Sequence, residues 1–225
     1  MGERERMTKV LNRLGAEFKP WRRYTDDPFL LLVGTVLSQN TNWRNTRVAY
    51  NQLTAKFKTP KQFAGADARE IRRLIKPAGL QQIKSRRLKQ LARNICERHG
   101  GDLDSVLRMP LEEARRELLS LPGVGYKTAD VLLVFAAGRN VLPVDTHIFR
   151  ISKRLGIAPT KAGYEEVRLR LEELTPSERR GDAHMLLIQH GRRYCRSHNP
   201  LCGVCPVNDL CPIGIRHAKR APRRT

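Results

Sequence analysis

No stretch of this chain approaches the roughly 20 consecutive apolar residues of a membrane-spanning helix, although 40% of its residues are hydrophobic. The opening residues MGERERMTKV lack the apolar segment of a secretory signal. Sustained apolar–polar alternation is missing, as is an Asn-Gly hairpin, which argues against a sheet. Low-complexity tracts and repeats of fixed period are also missing. These absences describe a soluble, intracellular, all-α protein. Its 225 residues are enough for one large domain or two small ones. Acidic residues are scarce: 22 Asp and Glu stand against 43 Lys and Arg, a formal net charge of +21. Such an excess costs self-repulsion and implies a polyanionic partner, either nucleic acid or an anionic membrane surface.

The positive charge is distributed. Arg22, Arg23, Lys84, Arg86, Arg87, Lys89, Arg179, Arg180, Arg192 and Arg193 read as a folded basic face, and the residues from Arg216 to Thr225 as a disordered basic tail. Helical periodicity fills the rest, over residues 6–14, 28–37, 45–57, 59–63, 67–74, 84–98, 111–119, 127–137, 146–155, 164–174 and 182–191. Start signals support several of these. Asp67 with Glu70 has the spacing of a capping box, Thr59-Pro60 suits an N-cap and first helical position, and Asp145 has N-cap chemistry.

Four of the five cysteines crowd the C-terminal end: Cys195, Cys202, Cys205 and Cys211, in the pattern C-x6-C-x2-C-x5-C. Clustered thiols in an intracellular chain bind metal more often than they form disulfides. Zinc and an iron–sulfur cluster both accept four thiolates, and the spacing leaves the choice open. Cys96 stands alone in a helical segment and reads as a buried, inert thiol.

Between two helical segments lies Leu121-Pro122-Gly123-Val124-Gly125. The glycines permit positive φ and leave the backbone amides unshielded. At the start of the following helix such amides form a phosphate cradle. Lys127 then falls in the first turn of that helix. A partly desolvated amine beside a helix N-terminus has a depressed pKa, and a neutral lysine is a nucleophile. A tight turn and a phosphate-binding surface lysine are the plainer readings of the same residues.

LPGVGYKTA followed by VDTHIFR resembles the helix-hairpin-helix, Gly/Pro-rich-loop, Asp superfamily of DNA glycosylases, and the cysteine pattern resembles its endonuclease III branch. The likeness runs from about Asp27 to Cys211. It implies a two-lobed all-α fold with a C-terminal iron–sulfur cluster loop. A six-helix barrel would span residues 24–136, a cluster domain residues 1–23 plus 137–211, and a basic tail 212–225. It implies a monomer acting on double-stranded DNA that carries damaged bases or abasic sites, with no membrane partner.

Residue by residue, the resemblance makes Lys127 the nucleophile at the sugar C1′ of a flipped nucleotide and Asp145 the essential carboxylate. Cys195, Cys202, Cys205 and Cys211 would hold a four-iron, four-sulfur cluster. Gly123, Val124, Gly125, Tyr126, His147 and Arg192 fall among DNA-contacting positions, and Arg193 and Arg196 would meet phosphate near Arg192. Leu80 would be the wedge that fills the vacated stack. Gln39 and Asn40 would face the opposite strand. Lysine at 127, where monofunctional relatives carry Tyr or Ser, implies a bifunctional glycosylase/lyase for damaged, oxidised pyrimidines. Gly34 stands where adenine-removing relatives have glutamate. Trp43 replaces a frequent aspartate and Tyr126 a frequent basic residue, both beside the presumed lesion pocket. The rival readings are a mismatch-specific uracil or thymine glycosylase, a non-catalytic iron–sulfur DNA-binding protein, and a zinc-stabilised DNA-binding module.

Overall fold

The structure is a computed structural model and describes residues 1–19 and 25–220. Among these residues are thirteen α-helices and no strand, so the all-α expectation holds. The backbone groups into two units, Arg23–Arg139 and Met1–Arg22 with Asn140–Thr225. Arg22, Arg23, the boundary at Tyr24 and residues 221–225 of the expected tail lie outside the described residues.

The continuous unit holds α2 (Pro28–Ser38), α3 (Trp43–Lys56), α4 (Pro60–Gly65), α5 (Ala68–Leu74), α6 (Gln81–His99), α7 (Leu103–Arg108), α8 (Leu111–Ser120) and α9 (Tyr126–Phe135). PFLLLVGTVLS is apolar nearly all round, and a helix of that composition is stable only when enclosed. Accordingly Phe29 and every residue from Leu31 to Leu37 are buried in α2. Asp27 caps this helix through a bond from the Leu30 amide at 2.9 Å, with Pro28 at the first helical position. Around it pack α3, α6 and α9, while α4 and α5 lie on α6. Phe63 of α4 is fully buried and meets Phe29 edge-on at 5.1 Å between ring centroids.

The second unit joins α1 (Glu3–Glu17) to α10 (Thr146–Arg154), α11 (Tyr164–Leu174), α12 (Arg180–Arg193) and α13 (Pro212–Arg220). Met7, Val10, Leu11 and Leu14 of α1 share one core with Ile148, Ile151, Val167, Leu171 and Leu187. Cys195, Cys205 and Cys211 pack against the same core.

Some local expectations are corrected. Thr59 and Gln62 form a full capping box, but the Asp67 side chain accepts from the Arg69 amide, so its expected box with Glu70 is not formed. The short helix α7 follows an Asp102 cap that periodicity did not reveal in only six residues. The expected disordered tail begins too early, because α13 continues to Arg220. Pro212 starts α13, and a Cβ on Gly214 would lie 2.3 Å from the Asn208 carbonyl, so glycine lets the helix sit against the preceding turn. Cys96 is half-buried rather than enclosed.

Candidate functional site

The turn between α8 and α9 meets the glycine expectation of a positive φ at one of its two positions. Gly123 takes φ +80°, in the left-handed region, and Gly125 caps α9 in an extended conformation. Both glycines are exposed. Val124 departs from expectation: its side chain is 7% exposed and its amide donates to the Leu121 carbonyl at 3.1 Å. That amide closes the turn instead of waiting for a phosphate, and the apolar side chain anchors the turn to the core. Tyr126 and Lys127 open α9, the tyrosine 49% exposed and the lysine half-buried. The Gly125 carbonyl accepts from Thr128 and Ala129 at 2.9 and 3.0 Å, which fixes the first turn that carries Lys127.

Close contact explains Gly123 further. A Cβ there would lie 2.1 Å from Cδ of Arg87. Gly123→Ala therefore adds left-handed strain of about 1–2 kcal/mol and expels the Arg87 stem. The expected outcome is a lower melting temperature together with weaker binding to duplex DNA, checked by thermal unfolding and fluorescence anisotropy. A variant with unchanged values on both measurements would contradict this account of the turn.

Two further loops converge on α6. Lys84 was expected on a basic face, yet it is 1% exposed. Its Nζ donates to the Leu37 carbonyl at 2.8 Å and to the Ala78 carbonyl at 2.9 Å. Burial, with Arg87 nearby, lowers this ammonium below its ordinary value. One buried cation thus ties the end of α2, just before Gln39 and Asn40, to the turn just before Leu80. The sequence did carry the signal: Lys84 shares the apolar stripe of Leu88, Leu91 and Ile95, at i, i+4, i+7 and i+11. Lys89 and Arg180 likewise donate to backbone carbonyls, of Ala66 and of Asn140 and Glu172. Part of the positive charge therefore braces the fold.

Leu80 is 48% exposed and held at φ +49°, following Gly79 at φ +68°. An apolar side chain presented to solvent on a left-handed residue is costly unless something uses it. Asn40 is exposed at φ +52°, and Gln39 is half-buried. Trp43 begins α3 under an Asn42 cap, two residues earlier than the periodicity indicated. It is 44% exposed, with the Arg44 and Arg47 guanidinium carbons 5.7 and 5.1 Å from its ring centroid.

In the second unit, Asp145 caps α10: its Oδ1 accepts from the Ile148 amide at 2.8 Å. His147 lies on the same first turn, with Nδ1 3.0 Å from Nη2 of Arg150. Burial holds the His147 imidazole below its ordinary pKa against the opposing pull of Asp145, and Arg150 and Arg192 push the same way as burial. A Cβ on Gly191 would lie 2.7 Å from His147 Cβ, so this glycine permits α12 to approach α10. Arg150 donates from Nε and Nη2 to the Cys195 carbonyl at 2.9 and 2.7 Å. Arg154 donates to the carbonyls of Arg196 and Ser197. Motif reading missed both arginines, because their partners lie more than forty residues away. They fasten the Asp145 helix to the cysteine loop. Arg192 is exposed as expected, whereas Arg193 pairs with Glu17 at 2.8 Å and stacks on Tyr194.

Cys195, Cys202, Cys205 and Cys211 line one small cavity, partly open to solvent, together with Ile151, Leu155 and Val207. Burial raises the Cys202 thiol and pushes Cys205 up to about 11. Thiolates in such a site need a compensating positive charge, which a metal centre supplies. Among the described residues, no three His, Cys, Asp or Glu gather as a single metal ion would require. His190 Nε2 lies 3.2 Å from Cys205 Sγ, and burial lowers its pKa to about 4. It is therefore neutral near pH 7 and suited to donate to sulfur.

Comparison with known proteins bears on these elements. A model described as HhH-GPD superfamily base excision DNA repair protein matches residues 33–177. The chain belongs to the HhH-GPD superfamily. It is 37% identical over 193 residues to endonuclease III of Thermotoga maritima, covering 86% of each chain. It is also 37% identical over 188 residues to endonuclease III of Escherichia coli K12, covering 82% of this chain and 83% of that one. A solved structure of a trapped endonuclease III–DNA covalent intermediate in an estranged-adenine complex superposes with a TM-score of 0.84 at 29% identity, over 97% of this chain and 100% of that one. A thermostable thymine-DNA glycosylase, at 24% identity and TM-score 0.82, shares the fold. The HhH-GPD match contains Lys127 and Asp145 and ends before the first clustered cysteine.

Proposed function

We propose that this chain is a bifunctional DNA glycosylase and AP lyase of base excision repair, acting inside the cell on duplex DNA with damaged pyrimidines or abasic sites. The observation that carries this reading is the placement of Lys127 on the first turn of α9, directly after a turn whose exposed glycines let a phosphate approach. Supporting it are the likeness to endonuclease III and to its DNA complexes.

In the proposed reaction the neutral Lys127 amine attacks C1′ of an extruded nucleotide. The C1′–N bond breaks and the base leaves with its electron pair, taking up a proton. The attached amine gives up one proton, and opening of the C1′–O4′ bond, with O4′ taking up a proton, yields a protonated Schiff base. Removal of a C2′ proton then expels the 3′ phosphate by β-elimination, and water releases the enzyme. Asp145, fixed by its cap, would stabilise positive charge developing on the sugar and help to deprotonate the amine. Leu80 would occupy the vacated stack. Gln39 and Asn40 would face the opposite strand, and Gly123, Gly125, Tyr126, His147 and Arg192 would meet the DNA.

We assign Cys195, Cys202, Cys205 and Cys211 to a four-iron, four-sulfur cluster. Four cysteines lining one cavity and the likeness to endonuclease III support this assignment. Such a group would cross-link the loop and neutralise its thiolates. Brown colour in the purified protein supports this assignment, and a colourless zinc-containing protein overturns it.

Borohydride reduction with abasic-site DNA tests the catalytic reading. Wild type is expected to form a covalent adduct that is lost in Lys127→Ala. An adduct that persists in the variant excludes Lys127, and none in wild type excludes the lyase.

A further inference from the structure

Arg87 is half-buried on α6, one turn beyond Lys84. Its Nη1 donates to Gln39 Oε1 at 2.7 Å, while its stem covers the Cα of Gly123. One side chain therefore connects the loop after α2 with the hairpin turn. The contact also defines which way the Gln39 amide faces. A guanidinium carries donors only, so the amide must turn its oxygen towards Arg87 and its NH2 away. A glutamine amide without such a partner presents either end, and a group that turns over reads hydrogen bonds poorly. The backbone beneath this side chain is held as well, by the bond from Lys84 to the Leu37 carbonyl and by the left-handed Asn40.

We infer that Arg87 is a positioning residue for recognition of the base opposite the target nucleotide: it locks Gln39 so that the amide NH2 is the reading end. The inference rests on the proposed placement of Gln39 against the opposite strand. It adds a specificity determinant outside the sequence motifs. Charge alone would make Arg87 a phosphate contact that affects all duplexes equally. Packing on Gly123 alone would do the same. Only orientation of Gln39 makes the effect depend on the opposite base.

The test is single-turnover strand cleavage by the full-length, cluster-containing protein on duplexes with an abasic site opposite A, C, G or T. Wild type is expected to show a spread of rates. Arg87→Met, which keeps the apolar stem over Gly123 and removes the donors, should narrow the best-to-worst ratio by about 3- to 10-fold, as expected for loss of one oriented hydrogen bond. Gln39→Ala should narrow it similarly, and the double variant should narrow it no further. Gln39→Glu keeps a partner for Arg87 and replaces the outward donor with an acceptor. It should change the rank order of the four bases, and it tests the inference should Arg87→Met fail to fold.

Discrimination that survives Gln39→Ala removes the placement of Gln39 itself. Discrimination lost in Gln39→Ala but intact in Arg87→Met overturns the role of Arg87 alone. A uniform loss across all four duplexes in Arg87→Met leaves only packing, and an unchanged order in Gln39→Glu overturns the donor-end orientation. Absence of any spread in wild type overturns the inference outright.

Discussion

Asp145→Asn is expected to retain the native melting temperature to within about 2–4 °C, the shift per 1 kcal/mol in a protein of this size, while strand cleavage falls by about 10²- to 10³-fold. The two observables separate because the carboxylate has two jobs. As an N-cap it uses Oδ1 to accept from the Ile148 amide at 2.8 Å, and asparagine caps a helix equally well. As the proposed partner of a cationic sugar it needs its charge, which asparagine lacks. Asp145→Ala serves as the contrasting variant, losing the cap at a cost of about 1 kcal/mol along with activity. The measurements are thermal unfolding and single-turnover cleavage of lesion-containing duplex. An asparagine variant with wild-type rates would reduce Asp145 to a helix cap.

The largest stability effect is expected inside the hairpin. Asp130 of α9 has no exposed surface, and its Oδ1 accepts from Nε of Arg115 on α8 at 3.0 Å; the Arg115 side chain is 5% exposed. Glu112 also meets Arg115, but its side chain is 71% exposed. Removing Asp130 takes the buried carboxylate from the Arg115 guanidinium and leaves it, among the described residues, paired with the solvated Glu112. Asp130→Ala should therefore lose about 3–5 kcal/mol, the usual effect of breaking a buried pair. At about 2–4 °C per kcal/mol, the melting temperature should fall by roughly 6–20 °C in a calorimetric scan. Replacing both partners, as Arg115→Met with Asp130→Leu, should recover most of the loss, since apolar packing substitutes well for such pairs. A loss below about 1 kcal/mol in the single variant would show that other contacts hold the two helices.

Local chemistry was legible from sequence, and distant contact was not. The glycine turn, the Asp145 cap, the exposed Leu80 and the four cysteines around one cavity all depend on neighbouring residues or close spacing. Lys84 and Arg87 were read as surface charge because their partners, Leu37 and Gln39, lie 47 and 48 residues away. Arg150 and Arg154 escaped notice for the same reason. Positive charge is an ambiguous sign: a lysine that binds phosphate and one that closes two loops look alike until the fold shows which carbonyls surround it. Only the place of Lys84 in a buried stripe distinguished it.

The second unit is built from segments on either side of the first, and this imposes an order on biosynthesis. Residues 23–139 form one continuous unit, translated without interruption. Helix α1 emerges before that stretch, yet Met7, Val10, Leu11 and Leu14 share their core with buried residues from Leu142 onward. Its apolar face must wait, solvated or sheltered by a chaperone, while more than a hundred residues are translated. Cys211 comes later still. Helix α1, made before residues 23–139, is thus enclosed only after them, and the cysteine loop is completed later than both.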